Sequence, residues 1–144
     1  MGKKRVNKLQ GSGVDSGKRD RALSKGSKRK LERGILYIES TFNNTKLTLT
    51  DEGGATVMWS SAGALGFTGN RKATPFAAAK VGEVLGEKAM VAGLKEVDVY
   101  IKGVGSGRES ALRAFAGKGI GIISIHDVTP IPHNGPRPPK PRRV

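Results

Sequence analysis

The sequence predicts an α/β fold, in which a three-strand antiparallel meander is followed by helix, strand, helix and strand around one mixed sheet. Apolar and polar residues alternate in short runs between residues 34 and 60, which is the period of half-buried strands. Beyond residue 73 the apolar spacing lengthens to that of helices, with strand-like runs between them. A strand, a helix and a second strand in that order indicate a right-handed crossover and a parallel pair.

The meander begins at Gly34. Residues 35–42 form a dense apolar and β-branched run, and residues 46–50 alternate in the manner of a second strand. Asn43 and Asn44 between them suit a hairpin turn. A second turn, Asp-Glu-Gly-Gly, leads to a third strand at residues 56–60.

A long helix is predicted to begin at Thr74 and Pro75, with threonine as N-cap and proline at the first helical position. Gly93 ends it. Gly82 and Gly86 lower the intrinsic helicity, which suggests that a neighbouring element packs closely against them.

A fourth strand is predicted at residues 96–102 and a fifth at residues 120–125. Between them, Ser106 and Glu109 have the spacing of a capping box for a second helix at about 107–117. The apolar residues that this helix would bury are Ala111, Leu112 and Phe115.

Charge divides the chain into three parts. Residues 1–33 carry twelve Lys or Arg and three acids, residues 34–125 carry ten and eight, and residues 126–144 carry four and one. A nearly neutral α/β core of one small domain is therefore flanked by a basic N-terminal arm, expected to be disordered until bound, and by a basic C-terminal tail. Such arms are typical of chains that neutralise phosphates, because each contact releases counterions.

The last eighteen residues hold six of the seven prolines. Proline fixes φ and lacks a backbone N–H, so this tail is expected to be a stiff, extended polyproline II rod. Four cations are spaced along it, and no large apolar side chain stands between Ile131 and Val144. The pattern indicates a tail that lies along a polyanion.

Composition argues against several classes of protein. The chain has no cysteine, which excludes disulfides and thiolate metal sites. It has no apolar run of about 18 residues and no secretion signal, so an intracellular protein without a membrane partner is expected. His126 and His133 lack metal-ligand spacing, and the acids of the core are scattered. We therefore expect no metal, no cofactor and no catalysis.

Two glycine-rich loops are candidate binding sites. Residues 63–72 end in Arg71 and Lys72, and residues 103–108 end in Arg108. Glycine lets a nucleic-acid backbone approach closely, and adjacent cations suit phosphates. The alternatives are an ordinary exposed loop for the first and a tight strand-to-helix connection for the second. A nucleotide-binding P-loop is disfavoured because the Gly-Lys-Ser/Thr ending is absent.

Four aromatic residues are expected to belong to the core. Tyr37, Trp59 and Tyr100 lie on predicted strands, where most aromatic side chains are buried. Phe67 is likewise expected to be a core anchor rather than a platform for stacked bases.

Several blocks of the sequence are long enough to be specific. They are STFNNT at residues 40–45, WSSAG at 59–63, GFTGNRKATPFAA at 66–78, GSGRE at 105–109, and DVTPIPHNG with RPPK in the tail. Over residues 34–144 these blocks resemble the universal small-subunit ribosomal protein eleven family of bacterial type.

The resemblance implies a ribonuclease H-like α/β fold without its chemistry, in a non-catalytic protein of the cytoplasmic ribosome; an organellar ribosome is less favoured. Such a protein would bind and bridge small-subunit rRNA helices on the platform, near the cleft where messenger RNA exits. Its neighbours would be small-subunit ribosomal proteins seven and eighteen, and initiation factor three would approach nearby. The RNA-facing residues carried over by motif are Asn43, Asn44, Gly63, Arg71, Lys72, Arg108, His133, Asn134, Arg137, Lys140, Arg142 and Arg143.

Three positions depart from the pattern of that family. Thr68 replaces a frequent lysine, Pro136 stands where cysteine is common, and Pro141 interrupts the terminal basic cluster. Phosphate contacts are expected to be lost at Thr68 and Pro141, and the two prolines should stiffen the tail. The alternatives to a ribosomal protein are, in order, a free regulatory RNA- or DNA-binding protein, a Pro-rich ligand of an SH3-like groove, and a nucleotide-binding enzyme.

Overall fold

The structure is a computed structural model, and it describes residues 16–24 and 29–143. Five strands form one sheet in the order β3-β2-β1-β4-β5. The strands are β1 (Arg33–Ser40), β2 (Thr45–Thr50), β3 (Thr56–Ser61), β4 (Glu96–Lys102) and β5 (Gly121–Asp127). The helices are α1 (Ser16–Ser24), α2 (Pro75–Val91) and α3 (Arg108–Ala116), with a 3-10 helix at Gly69–Ala73. No helix in this part of the chain is both long and apolar enough to cross a membrane.

The predicted α/β fold with a mixed sheet is confirmed. β2 pairs antiparallel with both β1 and β3, whereas β4 pairs parallel with both β1 and β5. β1 ends at Ser40, earlier than predicted, because Thr41 begins the turn. The hydroxyl of Thr41 accepts hydrogen bonds from the N–H groups of Asn43 and Asn44, at 3.3 and 3.1 Å.

The helices α2 and α3 cover one face of the sheet. In β1 the side chains of Leu36 and Ile38 point to that face and are fully buried, whereas Tyr37 and Glu39 are exposed on the other. We call the uncovered side the open face. Its side chains include Tyr37, Glu39, Lys46, Thr48, Trp59, Asp98, Tyr100, Lys102, Ser124 and His126.

The prediction that the strand aromatics belong to the core is wrong for Trp59 and Tyr37, which are 55% and 37% exposed. Successive side chains of a strand point to opposite faces, and these two alternate with the buried residues on the uncovered side. Tyr100 is half-buried on the same face. Phe67 is buried as predicted and meets Phe76 edge to face, with ring centroids 6.1 Å apart.

The close packing predicted at the helix glycines is confirmed, since α3 crosses α2 there. A Cβ at Gly82 would lie 2.5 Å from the carbonyl oxygen of Ala111, and one at Gly86 would lie 2.8 Å from Cγ of Lys118. The predicted N-cap is also confirmed, because the hydroxyl of Thr74 accepts a hydrogen bond from the N–H of Ala77 at 3.2 Å.

The predicted capping box of α3 is wrong. The hydroxyl of Ser106 donates instead to the carbonyl of Ala73 at 2.8 Å, which ties two loops together. Glu109 forms an ion pair with Arg113 at 3.3 Å, and the N-cap is Gly107 without a side-chain bond. The predicted core contacts of this helix hold: Ala111 and Phe115 are fully buried and Leu112 is partly buried against the core.

The N-terminal arm contains α1, whose Arg19 lies 3.6 Å from Glu87 of α2. Residues 1–15 and 25–28 lie outside the described residues. The predicted domain boundaries, and the expectation that the arm orders on binding, therefore stay predictions.

Gly82→Ala is expected to lower the free energy of unfolding by about 1–3 kcal/mol, the usual cost of overpacking. The added methyl meets a backbone oxygen, which moves only if α3 moves. This loss outweighs a gain in helix propensity of about 1 kcal/mol. Urea unfolding followed by circular dichroism measures it.

The matched control is Gly86→Ala, the same change in the same helix. Its methyl comes closest to the flexible stem of Lys118 at 2.8 Å and reaches backbone only at an ordinary 3.4 Å, at the carbonyl oxygen of Phe115, so it should cost clearly less. Equal losses in the two variants would contradict the close-contact explanation.

Candidate nucleic-acid interface

The loops that carry the predicted contacts open at one edge of the sheet. Because β1, β4 and β5 run parallel, their C-terminal ends lie side by side. β2 begins and β3 ends at that edge, since each is antiparallel to its neighbour. Segments 41–44, 62–74, 103–107 and 128–143 therefore leave the sheet together. We call this edge, with its four segments, the loop end.

All twelve residues predicted to face RNA belong to these segments or adjoin them. Asn43, Gly63 and Arg71 are exposed, and Lys72 is half-buried. Gly63 lies beside the stem of Lys72, since a Cβ built on the glycine would be 3.8 Å from Cδ of the lysine. The side-chain oxygen of Asn44 accepts a hydrogen bond from the next N–H at 3.0 Å. The fold thus brings the segments that carry the predicted RNA contacts to one edge of the sheet.

The glycine loop at 103–107 is packed against the sheet. A Cβ at Gly103 would lie 2.1 Å from the carbonyl oxygen of Ser40, and one at Gly107 would lie 2.5 Å from Oγ1 of Thr45. The N–H of Gly105 donates to the same carbonyl of Ser40 at 2.9 Å. These contacts favour the tight strand-to-helix connection over a loop whose glycines admit RNA.

Asp127 fixes the first residues of the tail, 128 and 129, which we call the tail root. Its carboxylate accepts hydrogen bonds from the hydroxyl and the N–H of Thr129, at 2.6 and 3.0 Å, and pairs with Arg108. The bonds from Thr129 and then Arg108 lower the pKa of Asp127 to about 2. The N–H of Gly103 donates to the same threonine hydroxyl at 3.2 Å. The first residues of the tail are thereby held against the glycine loop.

Arg108, one of the predicted RNA contacts, is engaged within the protein. Besides Asp127, its guanidinium donates to the carbonyl oxygen of Gly103 at 2.8 Å. A phosphate at this position would share a guanidinium that already holds the tail root, so the RNA contact of Arg108 stays a prediction.

The tail is not the straight rod that its prolines predict. Residues 128–143 contain no helix or strand, and Asn134 has φ of +54°, in the left-handed region. The chain therefore bends at Asn134, next to Gly135, which packs against Pro132. Beyond the bend, residues 136–143 are exposed.

The cations of the folded part differ sharply in their partners. Between residues 31 and 143, carboxylates lie within 4.0 Å of Arg33, Lys46, Lys80, Lys95, Arg108, Arg113 and Lys118. Buried Lys88 aside, the cations of that range without a carboxylate partner are Arg71, Lys72, Lys102, Arg137, Lys140, Arg142 and Arg143. All seven belong to the loop end, Lys102 as the last residue of β4. The opposite edge carries acids at Glu32, Asp51, Glu52 and Glu96, and its cations Arg33 and Lys95 pair with Glu52 and Glu32.

Two functional residues were missed from the sequence. Lys102 is the last residue of a strand whose alternation gives no sign that its side chain lacks a carboxylate partner. Asp127 begins an Asp-Val-Thr run, and a bond from its side chain to the N–H two residues on is the signature of an Asx-turn, which could have identified it.

Comparisons with known proteins identify the family of the chain. A family model described as Ribosomal protein S11 matches residues 34–143. The chain belongs to the ribosomal protein S11 family. A curated relative, small ribosomal subunit protein uS11 of Bdellovibrio bacteriovorus, is 58% identical over 117 residues, which cover 81% of this chain and 90% of the relative.

Membership of the S11 family makes the chain a structural, non-enzymatic component of the small subunit of the cytoplasmic ribosome, where its partner is rRNA. The predicted family and the prediction that the chain is not an enzyme are confirmed. Within residues 16–24 and 29–143, no group of three or more metal-ligating side chains comes together.

Asp127→Asn is expected to release the tail root, because the ionised acceptor shared by Thr129 and Arg108 is lost. Amide exchange at Thr129, followed by NMR, should become severalfold faster. In the unaltered chain the depressed pKa of about 2 means that these bonds persist above about pH 4 and are lost as the pH falls towards 2.

Asp51→Asn is the matched control at the opposite edge, where that side chain accepts from the N–H of Ala55 at 2.8 Å. It should leave Thr129 unchanged. Slow exchange at Thr129 in Asp127→Asn would show that another contact holds the tail.

Proposed function

We propose that the loop end is the surface through which this ribosomal protein binds small-subunit rRNA. The observation that carries the proposal is the gathering of seven cations without carboxylate partners at one edge of an otherwise neutralised domain. Unpaired cations are the groups that gain from phosphate contact, because binding releases counterions without first breaking an ion pair.

Binding is by position and shape rather than by catalysis. The packed core presents Arg71, Lys72 and Lys102 from rigid elements, and contacts of this kind fix register on an RNA backbone. The exposed tail carries four more cations beyond its anchored root, into grooves that the domain itself is too wide to enter. A domain and a tail that leave from one edge suit the bridging of separate rRNA helices.

The uncharged residues of the loop end have a different part. The N–H groups of Asn43 and Asn44 are taken by the Thr41 hydroxyl, so the exposed side-chain amide of Asn43 is the group left for ribose or base contact. Gly63 keeps the space above the Lys72 stem open, so that a phosphate can reach the ammonium group.

The finer placement rests on family membership. We propose that the protein lies on the platform near the messenger RNA exit, beside small-subunit ribosomal proteins seven and eighteen and the approach of initiation factor three. A ribonuclease H-like arrangement is supported by the order β3-β2-β1-β4-β5 with β2 alone running against the others. In this chain that arrangement serves as a scaffold.

Replacing Arg137, Lys140, Arg142 and Arg143 with glutamine should weaken binding to small-subunit rRNA and flatten its salt dependence. Each lost phosphate contact lowers the log–log slope by about 0.7–0.9, so the four together lower it by about 3. Fluorescence anisotropy over a series of salt concentrations measures the slope.

The matched control replaces four paired cations outside the loop end, Lys80, Lys95, Arg113 and Lys118, which removes the same charge. The ion pairs of Lys95 and Arg113 are exposed and contribute little stability, and those of Lys80 and Lys118 are half-buried. The slope should change by less than about 1. If both sets of variants lowered the slope equally, net charge rather than the loop end would direct binding.

Arg71→Gln with Lys72→Gln tests the rigid part of the loop end inside the ribosome. The double variant should leave small subunits at lower salt than the unaltered chain in sucrose gradients, because two phosphate contacts are lost. Lys95→Gln with Arg113→Gln is the charge-matched control. Co-migration of both variants to the same salt concentration would exclude this loop from the rRNA contact.

A further inference from the structure

Five residues form one cross-strand row on the open face. Trp59 is the register partner of Thr48, Thr48 of Tyr37, Tyr37 of Tyr100, and Tyr100 of His126. The row therefore crosses all five strands, and four of its five members carry rings. We call it the aromatic row.

Three of the rings stack on one another. The centroids of Tyr37 and Tyr100 are 5.5 Å apart with an interplanar angle of 24°, and those of Tyr100 and His126 are 5.0 Å apart at 26°. Tyr37 thus keeps one ring face free, towards Thr48. Trp59, on the far side of Thr48, is 55% exposed and stacks on no ring of the described residues.

The position over Thr48 has the width of one flat group. Neighbouring strands lie about 4.8 Å apart, so the strands of Trp59 and Tyr37 are separated by about 9.6 Å. A ring held between two others needs about 7–8 Å, twice the contact distance of carbon atoms. Thr48 has a short side chain, which leaves this space open and places a hydroxyl at its floor.

Charge across the open face is polarised. On the side of the loop end, Lys46 and Lys102 each lie two residues from the aromatic row; Glu39 stands between them and pairs with Lys46 at 3.8 Å, whereas Lys102 has no carboxylate partner. On the far side stands Asp98, which pairs with Arg33 at 3.3 Å; the hydrogen bond from Ser124 and the nearby Arg33 lower the pKa of Asp98, so this side offers no free cation. A polyanion on this face is drawn to the lysine side.

We propose that the open face binds an unpaired segment of RNA, with one base held between Trp59 and Tyr37 and the phosphates on the side of Lys46 and Lys102. The surface goes beyond the loop end, because it engages bases rather than the backbone alone. Rings with hydroxyl neighbours, flanked by cations on one side, are the usual means of holding single-stranded RNA. The lysine side also continues directly into the loop end.

The sole tryptophan makes the proposal directly measurable. The full-length chain is titrated with an adenosine octamer and with an abasic octamer of the same phosphate number, and Trp59 fluorescence is followed. Quenching by the adenosine octamer alone is expected, because only it supplies a base to stack. Equal quenching by both, or binding of the adenosine octamer without quenching, would overturn the proposal and leave the face to a protein partner.

Variants separate stacking from charge. Trp59→Ala should weaken the adenosine octamer about 5- to 150-fold, whereas Trp59→Phe should retain most of the affinity. Thr48→Tyr, which fills the space with a ring of this chain, should abolish the quenching. Val91→Ala, at a 90% exposed site on α2, is the control and should change nothing.

The outcome is independent of the loop end. Trp59→Ala removes no phosphate contact, so the salt slope should stay unchanged, while the tail variant lowers the slope and keeps the quenching per bound octamer. If Trp59→Ala, folded by circular dichroism, bound as tightly as the unaltered chain, base stacking on the open face would be refuted while the loop-end proposal stood.

Discussion

The parallel alignment of β1, β4 and β5 is the constraint on which the rest of the structure depends. Parallel neighbours need a crossover that returns to the starting edge, and α2 and α3 supply it on one face of the sheet. The strand ends, and the segments that follow them, are then forced to a common edge. The packing of α3 against Gly82 keeps the two crossovers close enough for this to hold. The proposed interface for RNA is therefore a consequence of topology before it depends on any single side chain.

The pairing of charged side chains also differs between the loop end and the rest of the core. Away from the loop end the exposed cations of the core meet carboxylates, which lowers the field of the domain without adding much stability. At the loop end they are left without partners, and the one arginine that is paired there, Arg108, is spent on holding the tail root through Asp127. An exposed chain of four cations would lose much entropy on binding if its origin were free. Fixing its first residues at Thr129 reduces that loss.

The sequence predicted the elements well, because their periods are strong and local. Alternation placed the strands to within a few residues, Thr74 and Pro75 located the start of α2, and two mid-helix glycines correctly indicated a close neighbour. What could not be predicted depends on partners far along the chain. Alternation shows that Tyr37 and Leu36 face opposite ways, but not which face the helices cover. Ser106 has the spacing of a helix cap, yet its hydroxyl donates to the carbonyl oxygen of Ala73, 33 residues away. The bend at Asn134 opposes the local preference of the prolines around it.

The two proposed RNA-binding surfaces, the loop end and the aromatic row, use different interactions and lie next to each other. Phosphate contacts at the loop end are strong at low salt and carry no sequence information. Stacking of a base on Trp59 and Tyr37 acts only at contact distance, but its strength changes little with salt. Residues two apart on one strand face are about 6.8 Å from each other, which is the distance along β2 from Thr48, over which the base is proposed to lie, to Lys46. A base and its own phosphate span such a gap. One nucleotide can thus place its base over Thr48 and its phosphate at Lys46, beside the loop end, so that the position set by charge determines which base is offered to the aromatic row.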